Sequence, residues 1–276
     1  MHIEQRVAVV TGGASGIGRS LCLAFAEQGA RAVVVCDIDA GGAAAVAAEI
    51  ESAGHRALAV TADMASPADV AALVARARDT FGQIDLFCSN AGIIVGGGVE
   101  LEDEAWSRMW AVNVQSHVYA ARAVIPDMLA RGDGYLVFTA SAAGLLTQLG
   151  SAPYAVTKHA LVALAEWLSI TYGDRGIGVS CLCPQAVTTN LLATSQRQVP
   201  VAPQAGPTST GSAQAAVDGM LTPDQVASCV IEAVSAEHFL ILPHPEVATY
   251  ERRRADDRER WLRGMRRMQA QLGGER

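Results

Sequence analysis

Apolar residues along this chain gather in short unbroken runs, and between the runs they recur at helical spacing. Val7–Thr11 (VAVVT) is the first run, and Leu21, Leu23, Phe25 and Ala26 then fall on or near one helical face. Ala32–Cys36 (AVVVC) is the second, followed by an Ala-rich helical stretch over Gly41–Ala53. The pattern predicts further strands at Ala57–Val60, Ile84–Cys88, Tyr135–Thr139, Gly178–Cys183 and Phe239–Leu242. It predicts helices from Pro67 through Phe81, roughly over Glu104–Arg131 as one helix or two, over Tyr154–Tyr172 and over Pro223–Ser235. Ser66 stands where a helix N-cap is needed, with proline at the first helical position. Continuous apolar runs suit parallel strands covered on both faces. Their alternation with helices implies crossover connections and a doubly wound, mainly parallel α/β sheet.

In such sheets ligands bind beyond the C-terminal strand ends. Gly12, Asp37, Asp63, Asn90, Ser141 and Pro184 all fall at or just past predicted strand ends. The first of these ends is glycine-rich: Val7–Gly18 reads VAVVTGGASGIG, with Gly12, Gly16 and Gly18 spaced G-x-x-x-G-x-G. Glycine lets backbone approach a phosphate, and the following helix N-terminus offers unpaired N–H groups and partial positive charge. A tight strand–helix turn without a ligand would read the same way.

Composition narrows the classes. The chain has 276 residues, 50% hydrophobic and 18% charged, with a formal charge of −7. An acidic chain of this kind is not a non-specific nucleic-acid binder. No apolar run approaches the roughly 18 residues of a membrane span, and a strand starting near residue 6 leaves no room for a signal peptide. Six cysteines lie mostly in strand-like runs without metal-type pairs, which points to reduced thiols in a cytoplasmic protein and to no metal site. One catalytic domain is expected over residues 1–245, with a Pro/Ser/Thr-rich lid over about Val187–Leu221. A charged helical extension follows over 246–276. Within 251–276 there are nine Arg and five acidic residues, while Trp261, Met265, Met268 and Leu272 form an apolar stripe. That extension reads as a helix packed on its own domain or a neighbour, with a lid or anionic-ligand role as the alternative.

Four residues carry candidate chemistry. Asp37, nineteen residues past Gly18, suits the two hydroxyls of an adenosine ribose and repels a 2′-phosphate, favouring NAD over NADP. Tyr154 and Lys158, one helical turn apart, share a face. An ammonium there is expected to lower the pKa of the phenol toward use as a general base. Ser141, just past a strand end, can hold a substrate oxygen. His159, beside the lysine, reads as packing or surface.

TGGASGIG at 11–18, Asn90-Ala91-Gly92, Asn113, Ser141 and Tyr154-Ala155-Val156-Thr157-Lys158 together resemble the short-chain dehydrogenase/reductase family, over about residues 5–242. The resemblance implies a Rossmann-type, seven-stranded parallel sheet, an NAD(H) or NADP(H) cofactor and a homodimer or homotetramer. It implies cofactor contacts at Gly12, Ser15, Gly16, Ile17, Gly18, Asp37, Asp63, Met64, Asn90, Ala91, Gly92, Tyr154, Lys158, Pro184, Val187 and Thr189. It makes Tyr154 the general acid/base, Lys158 and Ser141 its helpers, and Asn113 the holder of a relay water. Where the family usually has Pro-Gly, this chain has Pro184-Gln185, so Gln185 is a candidate substrate contact. Ile94, Leu145, Leu146 and Gln148 are expected to wall an apolar pocket for an alicyclic, aromatic or steroid-like alcohol or ketone. An NADP-linked 3-oxoacyl or carbonyl reductase and a catalytically silent NAD(H)-sensing interaction protein are the competing readings.

Overall fold

The computed structural model describes residues 1–199 and 218–273. Most of the expected lid (200–217), the end of the extension (274–276) and the Leu272 side chain lie outside the described residues. In chain order the elements are β1 (Val7–Thr11), α1 (Gly16–Glu27), β2 (Ala32–Asp37), α2 (Ala40–Ser52), β3 (Ala57–Thr61), α3 (Pro67–Phe81) and β4 (Leu86–Ser89). There follow α4 (Asp103–Trp110), α5 (Ser116–Arg131), β5 (Gly134–Thr139), α6 (Ala152–Tyr172), β6 (Ile177–Leu182) and α7 (Leu191–Gln198). The chain continues with α8 (Pro223–Ala236), β7 (Leu240–Ile241), α9 (Glu246–Asp256) and α10 (Arg258–Gly273). The sheet is seven-stranded and parallel throughout, in the order β3-β2-β1-β4-β5-β6-β7. Strand order reverses between β1 and β4, which opens a crevice at their C-terminal ends.

Strand alternation divides the core. Val7 and Val9 of β1 face a layer that includes α3, α5 and α6, whereas Ala8 and Val10 face α1, α2 and α8. All five β1 residues are buried, which is why the run is apolar without alternation. Phe25 of α1 is fully enclosed, and truncating such a side chain to alanine costs about 3–5 kcal/mol.

Three boundaries differ from the pattern. β4 begins at Leu86 because Asp85 sits just outside it, its carboxylate accepting from Val7 N at 2.8 Å. β7 is cut to two residues at the sheet edge. The region expected as one helix or two is a single rod whose middle, Ala111–Gln115, widens into a π-turn. Such wide turns insert one extra residue and re-aim side chains, frequently at functional sites.

Candidate active site

The glycine turn after β1 is shaped by two requirements. Gly12 has φ +67°, the left-handed region that favours glycine. Gly18 is required by closeness: a Cβ there would lie 2.0 Å from the Gly12 carbonyl oxygen. Thr11 ties this turn to the loop after β4. Its Oγ1 accepts from Asn90 N at 2.9 Å and Ala91 N at 3.0 Å, and Asn90 Nδ2 donates to the Thr11 carbonyl at 3.0 Å. Asp37, at the end of β2, accepts from Ala14 N and Asp39 N, each at 3.0 Å. Asp39, not Asp37, caps α2, its side chain accepting from Gly42 N.

A cleft of about 210 Å³ lies along these strand ends. Gly12, Ser15, Gly16, Ile17 and Asp37 line one side, and Asn90, Ala91 and Gly92 line the floor. Ser141, Tyr154, Lys158, Pro184, Gln185, Val187 and Thr189 complete it. Three residues expected at the cofactor do not line it. Gly18 is a packing glycine beneath the turn. Met64 is buried, with its sulfur 3.9 Å from Cys36 Sγ. The Asp63 carboxylate is paired with Arg108 at 3.0 Å and accepts from Ala65 N, closing the loop after β3.

Tyr154 and Lys158 project from the first turns of α6 into the cleft. Lys158 Nζ lies 5.6 Å from the centre of the Tyr154 ring and donates to the Thr139 carbonyl at 2.8 Å. Gly92 lies against both groups: a Cβ there would stand in ordinary contact, 3.4 Å, with Lys158 Nζ and Asn113 Oδ1. Burial is the largest influence on both groups. It lowers the Lys158 ammonium to about 8. It raises the Tyr154 phenol above its ordinary value, while a hydrogen bond with Ser141 pulls the phenol back and the Cys183 thiol pushes it up. The expected lowering of the phenol by the ammonium is therefore outweighed by desolvation. Ser141 Oγ accepts from Ala143 N at 3.1 Å and donates to the Pro184 carbonyl at 3.4 Å, so both neighbours fix its direction.

Asn113 sits in the π-turn, fully buried. Its Oδ1 accepts from Ile93 N at 2.9 Å, and its Nδ2 donates to the Ile93 carbonyl and to Thr157 Oγ1. The side chain clamps the loop beyond Gly92 to α6.

A second cavity, of about 330 Å³, adjoins the cleft and shares Ser141, Tyr154 and Gln185 with it. Ile94, Leu146 and Gln148 line it as expected, together with Leu192 and Met220. Leu145 does not: after the short turn at Ala142–Gly144 its side chain joins the core, and its carbonyl accepts from Arg254. Gln185 N donates to His244 Nδ1 at 3.2 Å, and Gln185 Oε1 and His244 Nε2 are buried with no hydrogen-bond partner among the described residues. His159 is half-buried against the Ala155 carbonyl and Arg254.

Sequence reasoning passed over Ser195 and His117. Ser195 Oγ accepts from Ile94 N at 2.9 Å, tying α7 to the cavity wall. His117 is enclosed beside Ser89, 2.7 Å away, and burial holds its pKa well below the ordinary value, with Lys158 acting in the same direction. A lone Ser in a polar stretch and a lone His on an apolar helix gave no pattern to find them by.

Residues 6–200 match the family model described as short chain dehydrogenase. The chain is 36% identical to a 1-deoxy-11-beta-hydroxypentalenate dehydrogenase of Streptomyces exfoliatus, over 93% of this chain and 90% of that protein. It is 38% identical to a cyclohexanol dehydrogenase of an Acinetobacter species, over 69% and 76% respectively. Among solved structures it resembles a short chain dehydrogenase/reductase from Burkholderia phymatum in complex with NAD, with TM-score 0.85 and 32% identity over 94% of this chain and 96% of that one.

Proposed function

Because the chain belongs to the short-chain dehydrogenase/reductase family, we propose that this oxidoreductase interconverts a secondary alcohol and a ketone with NAD(H). The observation that carries the reading is the placement of Ser141 and Tyr154 on the shared wall of the cleft and the second cavity, with Lys158 on the cleft side. A hydroxyl or carbonyl in the cavity thus meets a proton donor and acceptor at the edge of the cofactor cleft.

The cleft fits a dinucleotide on its own terms. The turn at Gly12 and Gly16 holds positive φ and leaves backbone exposed where side chains would stand. Asp37 keeps a negative charge on the cleft wall at the end of β2, suited to ribose hydroxyls and repulsive to a 2′-phosphate. Gly12, Gly16 and Ile17 would hold the pyrophosphate, Asp37 the adenosine ribose, Lys158 the nicotinamide ribose and Thr189 the carboxamide. The bound nicotinamide supplies or takes the hydride.

The chain's own residues handle the proton and the geometry. Ser141 orients the substrate oxygen toward Tyr154. In the oxidative direction the Tyr154 oxygen accepts the hydroxyl proton, and in the reductive direction it donates one to the carbonyl oxygen. Lys158, held by Thr139, keeps a cation beside the phenolate. Asn113 fixes the loop that follows Gly92 along the floor of the cleft. The apolar second cavity suits an alicyclic or aromatic body, with Gln185 as a polar contact. An association into a homodimer or homotetramer has a candidate surface on the outer face of α6, where Trp167 and Ile170 are exposed.

The deciding experiment is oxidation of a broad panel of secondary alcohols with NAD⁺ and with NADP⁺, followed by absorbance of the reduced cofactor. Turnover with NAD⁺ preferred is the expected result. Equal or better use of NADP⁺ would favour the ketoreductase alternative, and tight NADH binding without turnover would favour a sensing protein.

A further inference from the structure

The C-terminal extension encloses a third cavity, of about 660 Å³. It shares Leu146 and Gln185 with the second cavity, which shares Ser141 and Tyr154 with the cleft. The space beneath α9 and α10 therefore adjoins the cavity beside Tyr154, with Leu146 and Gln185 at the boundary. The extension is anchored on both sides of that space. Arg254 donates to the Leu145 carbonyl at 2.6 Å, and the Tyr250 hydroxyl donates to Asp218 Oδ1 at 2.8 Å. Val247 is fully buried in the main core.

The inner surface of the extension carries two chemistries. Trp261, Met265 and Met268 give it an apolar floor. Arg253, Arg260 and Arg267, at intervals of seven residues, line the same space. Seven residues make about two helical turns, so Arg260 and Arg267 share a face of α10. Gly264, between them on the cavity wall, has no side chain; a Cβ there would lie 3.9 Å from the Arg267 guanidinium. Glycine in mid-helix costs about 1 kcal/mol relative to alanine, and here its absent side chain leaves space in front of that guanidinium. Arg6, Arg19, Arg78 and Arg108 are each paired with a carboxylate. Arg253, Arg260 and Arg267 form no ion pair among the described residues. Three carboxylates also line the cavity, two of them engaged: Asp218 takes the Tyr250 hydroxyl and Asp257 accepts from Arg260 N. The third, Asp256, ends α9.

Resting on the dehydrogenase reading, we propose that the extension recognises an anionic substrate: a secondary alcohol or ketone on an apolar body whose carboxylate lies remote from the reacting carbon. The body packs against Trp261, Met265 and Met268, and the carboxylate meets Arg260 and Arg267. A planar guanidinium presents paired N–H donors that match a carboxylate, and hydrogen bonds to charged groups are the strong ones. This joins the two features that set the extension apart, its basic charge and its apolar stripe, in one function.

The test uses the full-length protein with NAD⁺ and a series of ω-(4-hydroxycyclohexyl)alkanoic acids of increasing chain length, each paired with its methyl ester. At one chain length the free acid should be preferred over its ester by about tenfold in kcat/KM. The variant R260Q/R267Q should remove about tenfold or more of that preference, and added salt should erode it in the parent. Both substitutions are at exposed positions, and an unchanged melting temperature confirms that the variant folds. Acids and esters used alike at every length would overturn the proposal, as would a variant that keeps the acid preference. A coenzyme A thioester preferred over the free acid would overturn the carboxylate assignment in favour of phosphate. If no alcohol is oxidised, the dehydrogenase reading fails, and binding still decides this proposal. An acid that raises the melting temperature of the NADH-loaded parent but not of the variant supports it, and an acid that shifts neither overturns it.

Discussion

The cofactor side of the cleft is made largely of backbone, whereas the substrate side is made of side chains brought in by distant segments. From Thr11 to Gly92 the wall consists of strand ends, two glycines whose geometry admits no side chain, and a loop stitched to β1 through Thr11. Opposite it stand Ser141 and Tyr154, the residues after Pro184, and an extension anchored through Arg254 and Tyr250. On the proposed reading the first wall meets a ligand part that never changes, and rigid backbone suits it. The second must fit one substrate among many, and side chains on connecting segments can vary without disturbing the sheet.

That contrast can be broken most sharply at Tyr154, where the two walls meet. Tyr154→Phe should lower kcat by about a thousandfold and leave NADH affinity, read by fluorescence titration, within a few-fold. Loss of less than tenfold would remove its role as acid/base. Since burial raises this phenol, the base is formed only on the alkaline side. Oxidation by the parent should therefore accelerate from pH 7 toward pH 8, above which the Lys158 ammonium starts to lose its proton, and reduction should not.

Lys158→Met should lower kcat by about a hundredfold while stabilising the protein at pH 7. The folded pKa of about 8 lies below the ordinary 10.5, so below pH 8 the buried ammonium opposes folding by up to about 3 kcal/mol. That penalty fades as pH rises from about 8 toward 10.5, because there the unfolded chain binds the extra proton. Thermal melts should show the variant ahead at pH 7 and its lead shrinking at pH 10. A variant less stable than the parent at pH 7 would mean that the bond to Thr139 outweighs desolvation.

Gly18→Ala tests the backbone wall. The added methyl has no space beside Gly12, so urea unfolding should report about 1–3 kcal/mol of destabilisation, with NADH affinity weakened at least tenfold. Asp37→Asn keeps an acceptor near Ala14 and removes the charge; the NAD⁺ over NADP⁺ preference should fall by about tenfold. The smallest effect is expected on the variable wall, from Gln185→Gly. Relative rates across an alcohol panel should shift a few-fold with cofactor affinity unchanged, and an unaltered profile would remove Gln185 from the substrate contacts.

The parallel sheet was legible because burial on both faces forces unbroken apolar runs, and the crevice was legible because strand ends carried Gly12, Asp37, Asn90 and Ser141. The differences from the pattern cluster where contacts are remote. Asp63 is taken by Arg108, 45 residues away, and nothing local to either residue announces the pair. Leu145 and Leu146 are indistinguishable in a pattern and both pack in the core, yet only Leu146 also lines the cavity. The Asn113 side chain proved to be a clamp because the π-turn aims it at Ile93 and Thr157.

By itself the sequence determined the strand–helix alternation, the glycine turn and the spacing of Ser141, Tyr154 and Lys158, since each depends on residues close along the chain. Only the tertiary structure decided that burial, not the neighbouring ammonium, dominates the phenol, and that the basic extension lines a cavity bordering the one beside Tyr154. Desolvation and cavity walls are set by what packs around a group, and those neighbours come from segments far apart in the chain.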